Sequence, residues 1–269
     1  MAKHPFKKKI HLFISNRRSS PIFKSLFNLA KKYISIYENR NNDHNTNGEL
    51  RVIKILSKHN PKIVFDVGAN VGDWSILASN KFPNASIHSF EPIPATFQKL
   101  NARVSPNKYI HLNNFGLSDK TQSLEFNYFP DRSTFTSIYD IKLENTLVQK
   151  VLCRLRNSKE YCHEANIQEI DFLKIDTEGS DYLVLKGLEE YLQQHKIRVI
   201  QFEYNLNNIL SKFLLRDFYE LLNKYGYQIG KIYPKSVEFK PYNIEMEDFI
   251  GLNYLAVHKS DKGLIEELR

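Results

Sequence analysis

Downstream of Lys62, apolar residues follow two alternating rhythms. Short runs of them predict strands at 63–67, 85–90, 109–113, 171–176, 197–203, about 227–233 and 253–258. Between these runs, apolar positions three and four apart predict helices at 71–81, 94–104, 158–165, 181–192 and 216–225. Such alternation argues for an α/β fold, a mostly parallel sheet with helices on both faces. Residues 121–156 are strand-like but irregular and read as a hairpin insertion near the mouth of the site. Upstream, Ser20-Pro21 supplies a cap and a first-turn proline. Ile22, Phe23, Leu26, Phe27, Ala30, Tyr33, Ile34 and Tyr37 then recur at helical spacing. This amphipathic helix is expected to pack on its own domain. Residues 1–19 read as irregular and basic, 38–48 as an Asn-rich polar linker, and 49–59 as a helix stopped by Asn60-Pro61. An arm and linker, 1–48, thus precede one catalytic domain, 49–269.

The first strand-to-helix junction, Ile63-Val-Phe-Asp-Val-Gly-Ala-Asn-Val-Gly72, carries the most chemistry. Gly68 permits a sharp reversal, and Gly72 lets the backbone approach a ligand closely. Glu91 ends the next strand, where a carboxylate can accept both hydroxyls of a ribose. A dinucleotide turn would need glycine at Asn70 and a helix N-terminus open to a pyrophosphate. Here Asp66 is expected to point into the turn, to repel phosphate and to suit an ammonium group. A phosphate-free nucleoside bearing an amino acid and a sulfonium meets those demands, which describes S-adenosylmethionine.

Composition narrows the classes. The 269 residues are 42% hydrophobic and 25% charged, a globular balance. No apolar run approaches the roughly 20 residues that span a bilayer. His11-Leu-Phe-Ile-Ser15 is too short for a signal-peptide core, and Cys153 and Cys162 make no disulfide framework or metal set. Free thiols in a reducing cytoplasm are expected. Residues 1–40 hold ten Lys/Arg against Glu38 alone, a net +9, so the rest of this +8 chain sums to −1. A near-neutral domain argues against a nucleic-acid groove. The basic arm reads as a solvated tail or as a segment drawn to an anionic membrane surface or acidic glycan.

Several blocks then carry a resemblance. Phe65-Asp-Val-Gly-Ala-Asn-Val-Gly-Asp-Trp-Ser75, Phe90-Glu-Pro92, Gly116-Leu-Ser-Asp119, Ile170-Asp-Phe-Leu-Lys-Ile-Asp-Thr-Glu-Gly179, Val184-Leu-Lys-Gly187 and Gln201-Phe-Glu-Tyr204 resemble the FkbM family of S-adenosylmethionine-dependent methyltransferases. The likeness covers roughly residues 60–260, and Leu173-Lys-Ile-Asp-Thr-Glu-Gly179 is its most specific part. It implies a Rossmann-like class I methyltransferase fold with a seven-stranded sheet, and methylation of an oxygen, often a sugar hydroxyl on a glycan or natural product. Arg156-Asn157 depart from it, standing where the family often has an acidic residue.

On this reading Asp66, Gly68, Ala69, Asn70 and Gly72 line the amino-acid end of the cofactor, and Glu91 takes the ribose. Pro92 and Ile93 flank the adenine, with Leu117 and Asp119 on its far side; Asp119 equally suits a turn cap. Methyl transfer requires positioning and loss of a hydroxyl proton. Asp176, at the end of a central strand, is the first candidate for that work, with Glu178 and Glu203 converging on it. The three carboxylates could also bind a divalent cation, but oxygen ligands alone are unspecific, and the metal-free reading is preferred. Lys174 needs a buried partner, and Glu203 is expected to supply it. His88 reads as a satisfied core residue, and His163 as a weak base candidate. Tyr128, Phe129, Phe135 and Tyr139 suit either a sugar face or a lid core. Two rivals are an NAD(P)-dependent short-chain reductase, on Tyr182-Leu-Val-Leu-Lys186, and a non-catalytic cofactor-binding module.

Overall fold

The computed structural model describes residues 5–104, 107–140 and 146–269. Eleven strands run in chain order as β1 (Ile63–Val67), β2 (Ser86–Phe90), β3 (Ile110–Asn113), β4 (Gly116–Ser118), β5 (Gln122–Tyr128), β6 (Gln149–Asn157), β7 (Ile170–Ile175), β8 (Ile197–Glu203), β9 (Tyr227–Ile232), β10 (Val237–Phe239) and β11 (Asn253–His258). The helices are α1 (Pro5–Ser15), α2 (Pro21–Tyr37), α3 (Glu49–Ser57), α4 (Asp73–Lys81), α5 (Pro94–Val104), α6 (Ser158–Glu164), α7 (Asp181–Gly187), α8 (Glu189–Gln193), α9 (Asn207–Ser211), α10 (Leu215–Lys224) and α11 (Lys262–Leu268).

The main sheet has the order β10-β9-β11-β8-β7-β1-β2-β3. Pairs from β8 through β3 are parallel, and those of β11 with β8 and β9 are antiparallel. The sheet therefore holds eight strands rather than the expected seven, short β10 having been added at the edge. The sequence order steps away from β1 in both directions, so a crevice opens at the C-terminal ends of β1 and β7. Alternate residues of the central strands enter two apolar layers. Phe65, Leu173 and Ile200 join one; Val64, Phe172 and Val199 join the other. A second sheet, β4-β6-β5, forms the insertion and closes over a small core of Ile93, Phe126, Tyr128, Cys153 and Leu155.

Four local expectations change. Residues 5–15 are helical, because Phe6, Ile10, Phe13 and Ile14 repeat at helical spacing through a run of lysines. Segment 38–48 is no free linker: Asn47 and Glu49 are buried, and Asn39 donates to the carbonyls of Asn47 (2.7 Å) and Ile232 (3.0 Å). Helix α2 does not pack on the domain, and none of its residues is buried. The expected helix 181–192 also breaks, at Leu188, where Gly187 lies so close to β4 that a Cβ would sit 2.2 Å from the Ser118 carbonyl oxygen.

Candidate active site

One buried layer of the sheet carries a polar row just short of the strand ends. Ser89, Asp66, Lys174 and Gln201 are neighbours in register on β2, β1, β7 and β8. Ser75 of α4 donates to Asp66 (2.6 Å) and bonds Ser89 (2.7 Å). Lys174 Nζ donates to Asp66 at 3.1 Å and stands 3.4 Å from Asp176. Gln201 Nε2 donates to Glu49 (2.7 Å), which also accepts from Asn47 (2.6 Å) and Asn253 (3.0 Å) and pairs with His44 (2.9 Å). His44 leads the bonds that hold the Glu49 carboxyl at about 2 against the cost of burial. Asp66 is thus wholly buried and lines neither of the two cavities described below, which corrects its expected place at the cofactor's amino-acid end. Lys174 likewise pairs with Asp66 and Asp176, not with Glu203. Burial works against the ammonium, but the carboxylates of Asp66, Asp176 and Glu49 outweigh it and raise its pKa.

Above this row lies a cavity lined by Gly68, Asn70 and Asp176, by Glu91 and Pro92, and by an apolar end of Ile93, Leu117, Phe126 and Leu155 under the insertion. Glu91 accepts from the backbone N–H groups of Asn70 (3.0 Å) and Ile93 (2.9 Å), while burial pushes its carboxyl up to about 7. Each carboxylate oxygen can accept a further bond, enough for a vicinal diol. No lysine or arginine lines this cavity among the described residues, so nothing there would neutralise a phosphate. The donor set therefore fits a phosphate-free nucleoside, S-adenosylmethionine included: Glu91 would hold the diol, the apolar end the base, and Asp176 with Glu178 the ammonium.

Gly68 adopts a φ of +86° with its α-carbon so near β7 that a Cβ would meet the Asp176 carbonyl oxygen at 1.8 Å. Glycine there serves the joining of the two strand ends as well as the turn. Ala69 lines only the second cavity described below. Gly72 lines neither cavity: a Cβ at Gly72 would strike Leu100 (2.7 Å) and Val104 (3.1 Å), so its role is the close seating of α5. Asp119 is also absent from the cavity wall; it accepts from the Ser118 hydroxyl at 3.2 Å, and Ser118 is the lining residue.

A second cavity shares Gly68, Asn70, Asp176 and Glu178 with the first. Its other walls include Glu203 and Lys174, Trp74 of α4, and Asn42 and His44 from the segment before α3. Sequence reading missed Asn42, His44 and Glu49, since only the fold brings that segment to the strand ends. Trp74 is buried as expected, yet its indole N–H has no partner. At the junction, carboxylate oxygens of Asp176, Glu178 and Glu203 come within 4.8 Å of one another. Asn207 donates to Glu178 and Asn205 to Glu203 (2.6 Å). Burial first, and the Asp176 charge next, raise the carboxyls of Glu178 and Glu203 well above the ordinary range. Groups so placed share protons instead of all ionising. The same three oxygens are the ones a divalent cation would use. Asp181 underlies the cluster, accepting from the N–H groups of Thr177 (2.8 Å) and Glu203 (2.9 Å), and burial pushes it up to about 6.

Other candidates fall outside. Tyr182 stacks on Phe213 (4.5 Å) and Lys186 bonds Glu189, so the reductase dyad faces neither cavity. His163 is exposed on α6; His88 is buried between Tyr161 (2.7 Å) and Ser86 (3.2 Å), and burial pushes it down to about 4. Tyr128 and Phe129 are lid core. Arg156 pairs with Glu164 (2.5 Å) and lies over the Phe115 ring, while Asn157 caps α6. Cys153 and Cys162 are free and buried, and burial pushes each thiol up to about 12.

Known proteins share this arrangement in sequence. The AMB antimetabolite synthetase AmbE of Pseudomonas aeruginosa is 28% identical over 164 residues, 48% of this chain and 8% of that protein. The hexuronic acid methyltransferase AglP of Haloferax volcanii is 27% identical over 158 residues, 57% of this chain and 62% of AglP. The chain thus spans less than two thirds of either protein. The 2-O-methyltransferase NoeI of Sinorhizobium fredii is 23% identical over 201 residues, 70% of this chain and 81% of NoeI. Residues 66–229, more than half of the sequence, match the methyltransferase FkbM domain. With the buried Glu91 carboxyl, a cavity lined by no described lysine or arginine and the carboxylate junction in place, the chain belongs to the FkbM family of S-adenosylmethionine-dependent methyltransferases.

Proposed function

We propose that this protein transfers a methyl group from S-adenosylmethionine to a hydroxyl oxygen of a polyhydroxylated acceptor, a saccharide or glycolipid. The observation that carries this reading is the meeting of the two cavities at Asp176 and Glu178. The first cavity there adjoins a chamber whose wall offers both acceptors (Asp176, Glu203) and donors (Lys174, Asn253 and the free Trp74 N–H). Such a wall suits a ring bearing several hydroxyls. The relatives AglP and NoeI, a hexuronic acid methyltransferase and a 2-O-methyltransferase by name, support the same class. The cytoplasm is the proposed compartment, on the two buried free thiols.

When bound, S-adenosylmethionine supplies a sulfonium-activated methyl group. Asp176, partly open to both cavities and held by Lys174, accepts the hydrogen bond of the acceptor hydroxyl and lines its oxygen up. As the methyl group passes to the acceptor oxygen, Asp176 would take the hydroxyl proton. Glu178 and Glu203 share that proton within the cluster. No metal is invoked: Lys174, Asn207 and Asn205 already engage the three carboxylates.

Asp176→Asn tests the assignment, with radiolabelled methyl transfer to a panel of sugars and glycolipids. Turnover should fall by about 10²–10⁴-fold, while calorimetry still detects S-adenosylhomocysteine, held through Glu91 and the apolar end. Unchanged turnover would move the base elsewhere, and wild-type protein that binds no S-adenosylhomocysteine would sink the reading itself.

A further inference from the structure

We propose that α1 and α2 form a docking hairpin that lies flat in the surface of an anionic lipid bilayer. The two helices meet through Phe13 and Phe23, whose rings stand edge to face at 5.9 Å. Of the 22 large hydrophobic side chains exposed among the described residues, 13 belong to this hairpin, so the apolar surface is concentrated there. A patch of that kind marks an interaction site. On α2 the apolar positions, Ile22, Leu26, Leu29, Tyr33, Ile36 and Tyr37 among them, fill one half of the helix at 100° per residue. Lys24, Lys31 and Lys32 occupy the other half with Ser25, Asn28 and Ser35. On α1, Phe6, Ile10, Phe13 and Ile14 share a face bordered by Lys7 and Lys9.

Charge selects the occupant. Residues 5–37 hold eight lysines and arginines and no acidic residue. A second copy of the hairpin would set cations against cations, and the remainder of the chain is near neutral in sum. An anionic headgroup layer over an apolar interior matches both halves of the helix. No described helix is long and apolar enough to cross a membrane. At 17 residues α2 is only about 25 Å long, so it lies in the surface. The hairpin stands on a firm foot. Glu38, the residue after α2, bonds the buried Lys231 at 2.5 Å and Tyr233 at 3.4 Å. Beyond that foot runs the segment that supplies Asn42 and His44 to the second cavity.

The test is sedimentation of the full chain with vesicles of phosphatidylcholine alone or mixed with phosphatidylglycerol. Binding is expected on the mixed vesicles, with loss as salt rises and little on the neutral ones. Replacing Lys24, Lys31 and Lys32 together with Gln should weaken partition about a hundredfold, and Leu26→Asp with Tyr33→Asp should abolish it. S-adenosylhomocysteine affinity unchanged in both variants keeps folding out of the reading. In Phe27→Trp the indole emission should shift to the blue on mixed vesicles. Equal binding to neutral vesicles, no binding to either, or a solution dimer that the same substitutions dissolve would each overturn the proposal.

Discussion

At Glu91, burial outweighs the two backbone N–H groups and leaves the carboxyl protonated below about pH 7 in the ligand-free protein. Only the ionised form accepts from both ribose hydroxyls, so ligand binding should release a proton. S-adenosylhomocysteine affinity is therefore expected to rise with pH up to about 7 and then level off. Calorimetry across that range checks it, and a pH dependence that persists in Glu91→Gln would assign the proton to another group. Asp66 makes a different prediction. Because it neutralises a lysine only 4% exposed, Asp66→Ala should destabilise the fold by about 3–5 kcal/mol in denaturant titration; an undiminished midpoint would contradict its structural role. The sequence distinguished these two carboxylates poorly, because each stands near the end of a short apolar run, Asp66 ahead of a glycine turn and Glu91 ahead of Pro92. What separates them is which sheet layer each faces and what lies in register beside it. Lys174 reaches Asp66 only because β7 pairs with β1 across more than a hundred residues.

Among the elements, β1, β2, β7, β8 and α5 were legible to within a residue or so, since buried parallel strands and capped helices leave strong patterns. Segment 38–49 was not. Its asparagines have turn composition, and what orders them is long-range: Ile232, Gln201 and Asn253. Helix α1 was hidden by its lysines, which break the apolar pattern without breaking the helix. The segment also makes its own prediction. Asn42 is exposed, yet it lines the second cavity and not the first. Asn42→Lys is expected to raise the KM for the acceptor several-fold, with the affinity for S-adenosylhomocysteine left alone. If both constants move together, the two cavities are not the separate subsites described above.

For the molecule as a whole, the clustered carboxyls set the pH dependence of stability. Glu91 at about 7, Asp181 at about 6, and the raised Glu178 and Glu203 all bind protons more tightly folded than unfolded. Their contribution is full below the unfolded carboxyl range and is lost as pH climbs through those values. Glu49, held at about 2, acts in the opposite sense and loses its contribution only as pH falls from about 4.5 toward 2. The ligand-free protein should accordingly melt highest near pH 5 and at progressively lower temperature toward pH 8; a melting point that climbs over that interval would contradict the cluster. The row Ser89–Asp66–Lys174–Gln201 carries a last consequence. Lys174 and Asp66 satisfy each other within it, Ser75 ties Asp66 to Ser89, and Gln201 turns to Glu49, so the losses of the linked members do not add. Exchanged en bloc for hydrocarbon side chains of like volume, they should yield a domain that still folds and still admits its nucleoside. That domain would have lost Lys174, the cation holding Asp176 in aim, and with it the chemistry.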